Sequence, residues 1–299
     1  MKVVLLLFLT IACSSTNKLD QAKKSYKLSE IQESDFIRMK PLKYTLASDR
    51  HLTQEQMGSS LFSETLSLQS SDELENMIES QNTISSALAK CYLGKISEGL
   101  KTLKNEYDRY RRNPSFWNAQ GICFFLNKEV RKAVVFYNKA LEQYSKYAPA
   151  YNNLGVSYLQ LGKHQKAMVA FQKASSFKKS NFSSRYNQLS LYLFYSLLGP
   201  ADLLLNQLEK NYGGNIRIQN ARAVWHMMSG QDPKAVSLFA AFGDEKLEKP
   251  QYGLNFVVAL FRMGQQEKAR DYFDDIEKDE LGDLRDYYTR VASYIGDTE

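Results

Sequence analysis

A small residue returns every 34 positions along most of this chain, and that column constrains the fold more than any other feature. It reads Gly99, Ala133, Ala167, Ala201, Ala235, Ala269. With Ala148 counted as position one of a unit, this column is position 20. Position 24 then holds Leu103, Tyr137, Phe171, Leu205, Phe239 and Phe273, and position 15 holds Gly94, Gly162, Gly230 and Gly264 in four units. Six units keep one phase from about residue 80 to 283 with no insertion. A fixed period of this length is the mark of stacked supersecondary units, none of which can bury its apolar face alone.

The columns imply two antiparallel helices per unit, A and B. Small residues at positions 8 and 20 let the two backbones approach. Large apolar residues at positions 4, 11 and 24 fill the space around that contact. Gly at position 15 suits the end of helix A, where a positive φ costs glycine least. The unit starting at Phe182 is the weakest, with Leu189, Ser196, Ala201 and Leu205 at the key places. Residues 284–295 place Tyr287, Val291 and Tyr294 on one stripe, which predicts a thirteenth, capping helix. Only 15 Gly and 6 Pro are present, too few turn-formers for a many-stranded sandwich or barrel.

In the fullest unit, Tyr151, Leu154, Gly155 and Tyr158 are followed by Ala167 and Phe171. The preceding unit carries Trp117, Gly121, Phe124, Ala133 and Tyr137. This pattern resembles the tetratricopeptide repeat, Trp-x2-Leu-Gly-x2-Tyr followed by Ala-x3-Phe; the late Pro is missing, with Lys179 in its place. The resemblance covers about two-thirds of the chain. It implies an all-α, right-handed superhelical solenoid of six helix pairs plus the capping helix, and a protein-binding scaffold rather than an enzyme.

The chain opens on Lys2 and then an apolar run from Val3 to Ala12, directly before Cys13. The run is shorter than the roughly 20 apolar residues a spanning helix needs, and it has the n- and h-regions of an export signal. It resembles a bacterial lipoprotein signal, which makes Cys13 the lipidated residue of the mature chain. Thr10 stands where that family usually has Leu, and the other reading is an ordinary cleaved signal. Ser14 after the cysteine resembles outer-membrane sorting. The expected organisation is a signal at 1–12, a lipidated N-terminus and mostly irregular tether at 13–70, the six-unit array at 71–283, and the capping helix with its tail at 284–299. A short helix is expected near 53–66 and another near 72–80.

Cys91 and Cys123 fall on neighbouring A helices. Two small buried thiols are the favoured reading, although an exported chain could oxidise them. Catalytic signatures are missing: no phosphate-binding glycine loop, nucleophile elbow, CxxC or histidine pair at metal-ligand spacing occurs. His226 is expected to pack in the core at position 11. His164 is expected to be solvated in an A–B turn, and His51 lies in the tether. No cofactor, metal or small-molecule substrate is expected.

The family resemblance implies that positions 2, 5, 9 and 12 of the A helices line a concave groove. The candidate groove residues are Asn118, Ile122, Phe125, Asn152, Val156, Leu159, Asn220, Val224, Met227 and Phe261. An apolar wall with three asparagines suits an amphipathic helix or an extended hydrophobic peptide. Two other readings stay open: the residues bury one another, or the tether fills the groove. Chaperone-binding relatives carry a Lys–Asn pair at positions 5 and 9, which no unit here has.

Charge is polarised. Residues 101–185 hold sixteen Lys/Arg and four Asp/Glu; residues 271–299 hold three and ten. Outer-face lysines such as Lys139, Lys173 and Lys234 are expected to be solvated. A sharper reading puts the basic flank against anionic lipid or an acidic partner. Nucleic acid fits an exported chain poorly. The resemblance thus implies a lipid-anchored envelope scaffold that binds a protein or peptide of an envelope machine. Type IV pilus pilotins are built this way. The rival is a membrane-surface structural protein that binds lipid or glycan through the basic flank.

Overall fold

The computed structural model describes residues 71–79, 81–177, 182–281 and 284–296. The expected signal, Cys13 and the expected tether, with His51 and the helix expected near 53–66, lie outside the described residues. Those residues form an all-α fold with no strand among them. They divide into two compact bodies, 71–214 and 215–296.

The first body begins with α1 (Ser71–Ile78), followed by the pair α2 (Thr83–Tyr92) and α3 (Ile96–Asn105). A short helix, α4 (Tyr107–Tyr110), precedes the pair α5 (Pro114–Leu126) and α6 (Val130–Gln143). Then come α7 (Ala148–Gln160) with α8 (His164–Phe177), and α9 (Phe182–Phe194) with α10 (Leu198–Tyr212). The second body holds α11 (Ile216–Met228) with α12 (Asp232–Ala240), the short α13 (Asp244–Leu247), and α14 (Pro250–Arg262) with α15 (Gln266–Asp274). A 3-10 turn (Lys278–Glu280) and α16 (Arg285–Ile295) end it. The helix expected at 284–295 is α16; it buries Tyr287, Val291 and Ile295, while Tyr294 is only half-buried.

Local chemistry sets the ends of the A helices. Asn113 and Asn215, each at position 34, accept from the backbone N–H groups of Ser115 and Arg217 at 2.9 Å and so cap α5 and α11. Such a cap satisfies one of the donors a helix start leaves open. Pro114 follows Asn113 at the first helical position, where its missing N–H costs nothing. At the other end, position 15 has φ between 53° and 81° in every unit: Gly94, Lys128, Gly162, Ser196, Gly230 and Gly264. The next residue then donates its N–H back to the position 11 carbonyl, as from Lys163 to Tyr158 at 2.8 Å and from Gln231 to His226 at 2.8 Å. This closes helix A with a 6→1 bond, the Schellman arrangement.

Packing follows the columns. The position 20 alanines have no exposed surface, and the position 24 residues Leu103, Tyr137, Phe171, Leu205, Phe239 and Phe273 are at most 1% exposed. The structure refines the role of position 8. A Cβ on Gly121 would lie 2.4 Å from the Tyr137 ring, and one on Gly155 2.4 Å from the Phe171 ring. The glycine admits an aromatic ring from position 24 rather than serving backbone approach alone. Where position 24 is Leu205, position 8 is Leu189, and both are fully buried.

One expectation is corrected. Cys91 and Cys123 are not two separate buried thiols but a disulfide, with Cα atoms 5.3 Å apart. Stacking of α2 on α5 brings position 12 of one unit beside position 10 of the next, within the span a disulfide requires.

Candidate functional site

The ten groove residues fall on α5, α7, α11 and α14, where the columns put them. In the first body, Asn118, Ile122, Phe125, Asn152 and Val156 are buried and Leu159 is half-buried. In the second, Asn220, Val224 and Met227 are buried and Phe261 is half-buried, its ring 5.0 Å from that of Tyr294.

The asparagines are largely engaged with one another. Asn153 donates to the Asn118 side-chain oxygen at 2.8 Å, and Asn187 donates to that of Asn152 at 2.9 Å. Position 5 of one A helix is thus bonded to position 6 of the next, and the amide ladder fixes how successive A helices are rotated. Buried amides of this kind contribute only if they are partnered. In the second body, Tyr287 of α16 donates to Asn255 at 2.9 Å, so position 6 of the last unit is satisfied by the capping helix. Sequence reasoning missed the position 6 asparagines; the 35-residue offset from Asn118 to Asn153 and from Asn152 to Asn187 carries that signal.

Open surface appears instead between the B helices of the first body. A groove of about 800 Å³ runs between α6 and α8, with Tyr151, Leu154 and Tyr158 of α7 among its lining residues. A second, of about 550 Å³, lies between α8 and α10 over Arg185, Gln188 and Tyr192 of α9. Those three are the first three advanced by 34 residues, so one surface feature is repeated.

The outer lysines are less idle than expected. The Lys139 ammonium sits 4.7 Å from the Trp117 ring centre, and that of Lys173 sits 5.5 Å from the Tyr151 ring centre. Position 26 of helix B thus covers the aromatic at position 4 of helix A, a cation–π contact in both units. The Lys132 ammonium and the Asn127 amide hold the Glu129 carboxyl below its usual range. His164, expected to be solvated in a turn, instead opens α8 and is half-buried, its ring nitrogen 2.6 Å from the Tyr195 hydroxyl. His226, at position 11, is half-buried against the Trp225 ring.

In the second body the most charged interior feature is an ion pair. Arg262 meets Asp232 at 3.1 Å, with side chains 4% and 9% exposed, and also donates to the Met227 carbonyl at 3.2 Å. Burial pushes the Asp232 carboxyl above its usual range, against the pull of Arg262. Among the described residues no group of three or more His, Cys, Asp or Glu is placed to hold a metal ion, and no helix is long and apolar enough to cross a membrane.

Residues 85–148 and 148–181 match family models described as tetratricopeptide repeat. Comparison with curated protein sequences finds no match. Among solved structures, a tetratricopeptide repeat protein from Parabacteroides merdae is 16% identical, covering 74% of this chain and 90% of its own, with a TM-score of 0.52. Pseudomonas aeruginosa pilF is 15% identical over 76% of this chain and 99% of its own, with a TM-score of 0.57. A chain of the APC/C hetero-tetramer Cut9–Hcn1 is 15% identical over 95% of this chain and 54% of its own, with a TM-score of 0.59. At such identities the likeness is one of fold. Residues 85–181 thus match tetratricopeptide repeat by sequence, and the described residues have the all-helical fold of tetratricopeptide-repeat proteins.

Proposed function

We propose that this protein is a non-enzymatic scaffold of the bacterial cell envelope, lipid-anchored through Cys13, which holds a peptide or helix of an envelope machine. Pilus or secretin assembly, motility and secretion are the processes that suit such a build. The observation that carries the reading is the repeat itself: helix pairs in register present side chains at regular intervals, and that is a surface for a chain-like partner. The Cys91–Cys123 disulfide supports an oxidising compartment, since such bonds persist outside the cytosol. The lipoprotein-like start at Cys13 supports the anchor.

The test has two arms. Affinity purification of the C-terminally tagged chain from detergent-solubilised envelopes should recover a stoichiometric envelope protein; recovery of lipid alone would favour a membrane-surface role. Cys13→Ser should leave the signal uncleaved or free the chain from membranes. If that variant still fractionates with the outer membrane as the native chain does, the anchor is elsewhere.

A further inference from the structure

The B helices of the first body carry an apolar row that the core does not use. Val135, Val169 and Leu203 all occupy position 22 and are 54%, 52% and 67% exposed. They sit on α6, α8 and α10, and Val169 and Leu203 line the two grooves described above. Exposed apolar side chains are ordinary when scattered, but three in one column on three successive repeats make a continuous track.

Charge frames that track. On α6 and α8 a lysine stands one turn before the apolar residue and another one turn after it: Lys132 and Lys139 around Val135, Lys166 and Lys173 around Val169. Residues three and four apart share a helix face, so each apolar residue lies between two ammonium groups. Lys132 is engaged with Glu129, whereas Lys166 and Lys173 make no ion pair among the described residues. Tyr151 holds Lys173 in place through its ring. Glu142 is the one carboxylate lining the larger groove, set against the sixteen Lys/Arg and four Asp/Glu of residues 101–185.

We infer that this B-helix face is a docking surface for an acidic amphipathic helix of a partner protein. The inference rests on the scaffold reading above and names the face and the chemistry of the ligand. Successive B helices pack against the A helix between them, and that A helix contributes to the lining of each groove. A ligand helix lying across them can present one face to the row with apolar residues at i, i+7 and i+14, two turns apart at a rise of about 10.5 Å. Glutamates flanking those positions would face the two lysine rows. A flat lipid surface would meet the ammonium groups but would not fill grooves recessed between helices.

A fluorescein-labelled peptide of about 21 residues, with Leu at i, i+7 and i+14 and Glu beside them, is titrated against the full chain by anisotropy. The native chain should bind it and should not bind the same peptide with Glu replaced by Lys. Val169→Glu with Leu203→Glu should weaken binding about tenfold or more, with the melting curve unchanged because both positions are exposed. Lys166→Glu should weaken it as well. No binding by the native chain, or equal binding by the double variant, overturns the inference. Binding of Lys166-dependent kind to anionic vesicles, with the peptide ignored, overturns it in favour of a membrane contact. Envelope purification separates the two readings: a double variant that keeps its cellular partner preserves the scaffold and removes this face from it. A native chain that recovers no partner sinks the scaffold, and the peptide titration still decides the face.

Discussion

A Cβ placed on Gly99 would come within 2.4 Å of the Cys91 sulfur and 2.6 Å of the Ala87 carbonyl oxygen. Every other unit carries alanine at this position of helix B. The one glycine in the column therefore stands where the Cys91–Cys123 disulfide needs the room. A departure from the repeat and a covalent bond turn out to be the same structural fact.

The disulfide closes a loop spanning a sequence separation of 32 residues. Cys91→Ala with Cys123→Ala should lower the stability of the first two helix pairs by about 3–4 kcal/mol, from loop closure in the unfolded chain. Gly99→Ala in the native chain should cost about 1–3 kcal/mol by overpacking. In the double-alanine background its cost should shrink without vanishing, because the Ala87 carbonyl stays. Urea melts of the four chains check this, and a Gly99→Ala penalty equal in both backgrounds would separate the glycine from the disulfide.

Lys128 and Ser196 hold φ values of 65° and 53° at the position other units give to glycine. A side chain in the left-handed region costs roughly 1–2 kcal/mol. Lys128→Gly and Ser196→Gly should each stabilise the chain by a few tenths to about 1 kcal/mol, after glycine's greater unfolded-state entropy is subtracted. Gly162→Ala, at φ 69°, should destabilise by a similar amount. Thermal melts read all three, and the sign reversal between the two kinds of change is the point at issue.

The buried Asp232–Arg262 pair joins the last two helix pairs. Asp232→Asn removes a charge that burial already disfavours and should cost about 1 kcal/mol or less at neutral pH, whereas Arg262→Met leaves the buried carboxylate without its counter-charge and should cost about 3–5 kcal/mol. Replacing both, Asp232→Leu with Arg262→Met, should return most of that. The pH dependence has a definite sign. Burial raises the Asp232 pKa above its ordinary value, so the folded chain binds a proton more readily than the unfolded one. Stability contributed by this group is greatest below the unfolded pKa and is lost as pH rises through the folded one. Asp232→Asn should remove that slope from the stability profile in the mildly acidic range; a slope of opposite sign would mean that Arg262 outweighs burial.

The 34-residue columns determined a great deal by themselves. They placed the helix pairs, the buried residues at positions 8, 20 and 24, and the helix-ending residue at position 15, even where that residue is Lys128 or Ser196. They could do so because each of these roles is decided within one helix or one pair, where spacing along the chain fixes which face a side chain is on. What the columns could not decide is which side chains meet between successive pairs. The joining of Cys91 to Cys123, the bonds from Asn153 to Asn118 and from Asn187 to Asn152, and the bridge from Arg262 back to Asp232 all depend on how far one helix pair is rotated and raised against the next. The period is silent on that rotation, because a displacement of a few ångströms leaves every column intact while deciding whether two sulfurs bond, whether an asparagine faces a ligand or its neighbour, and whether an apolar row such as Val135, Val169 and Leu203 is left open.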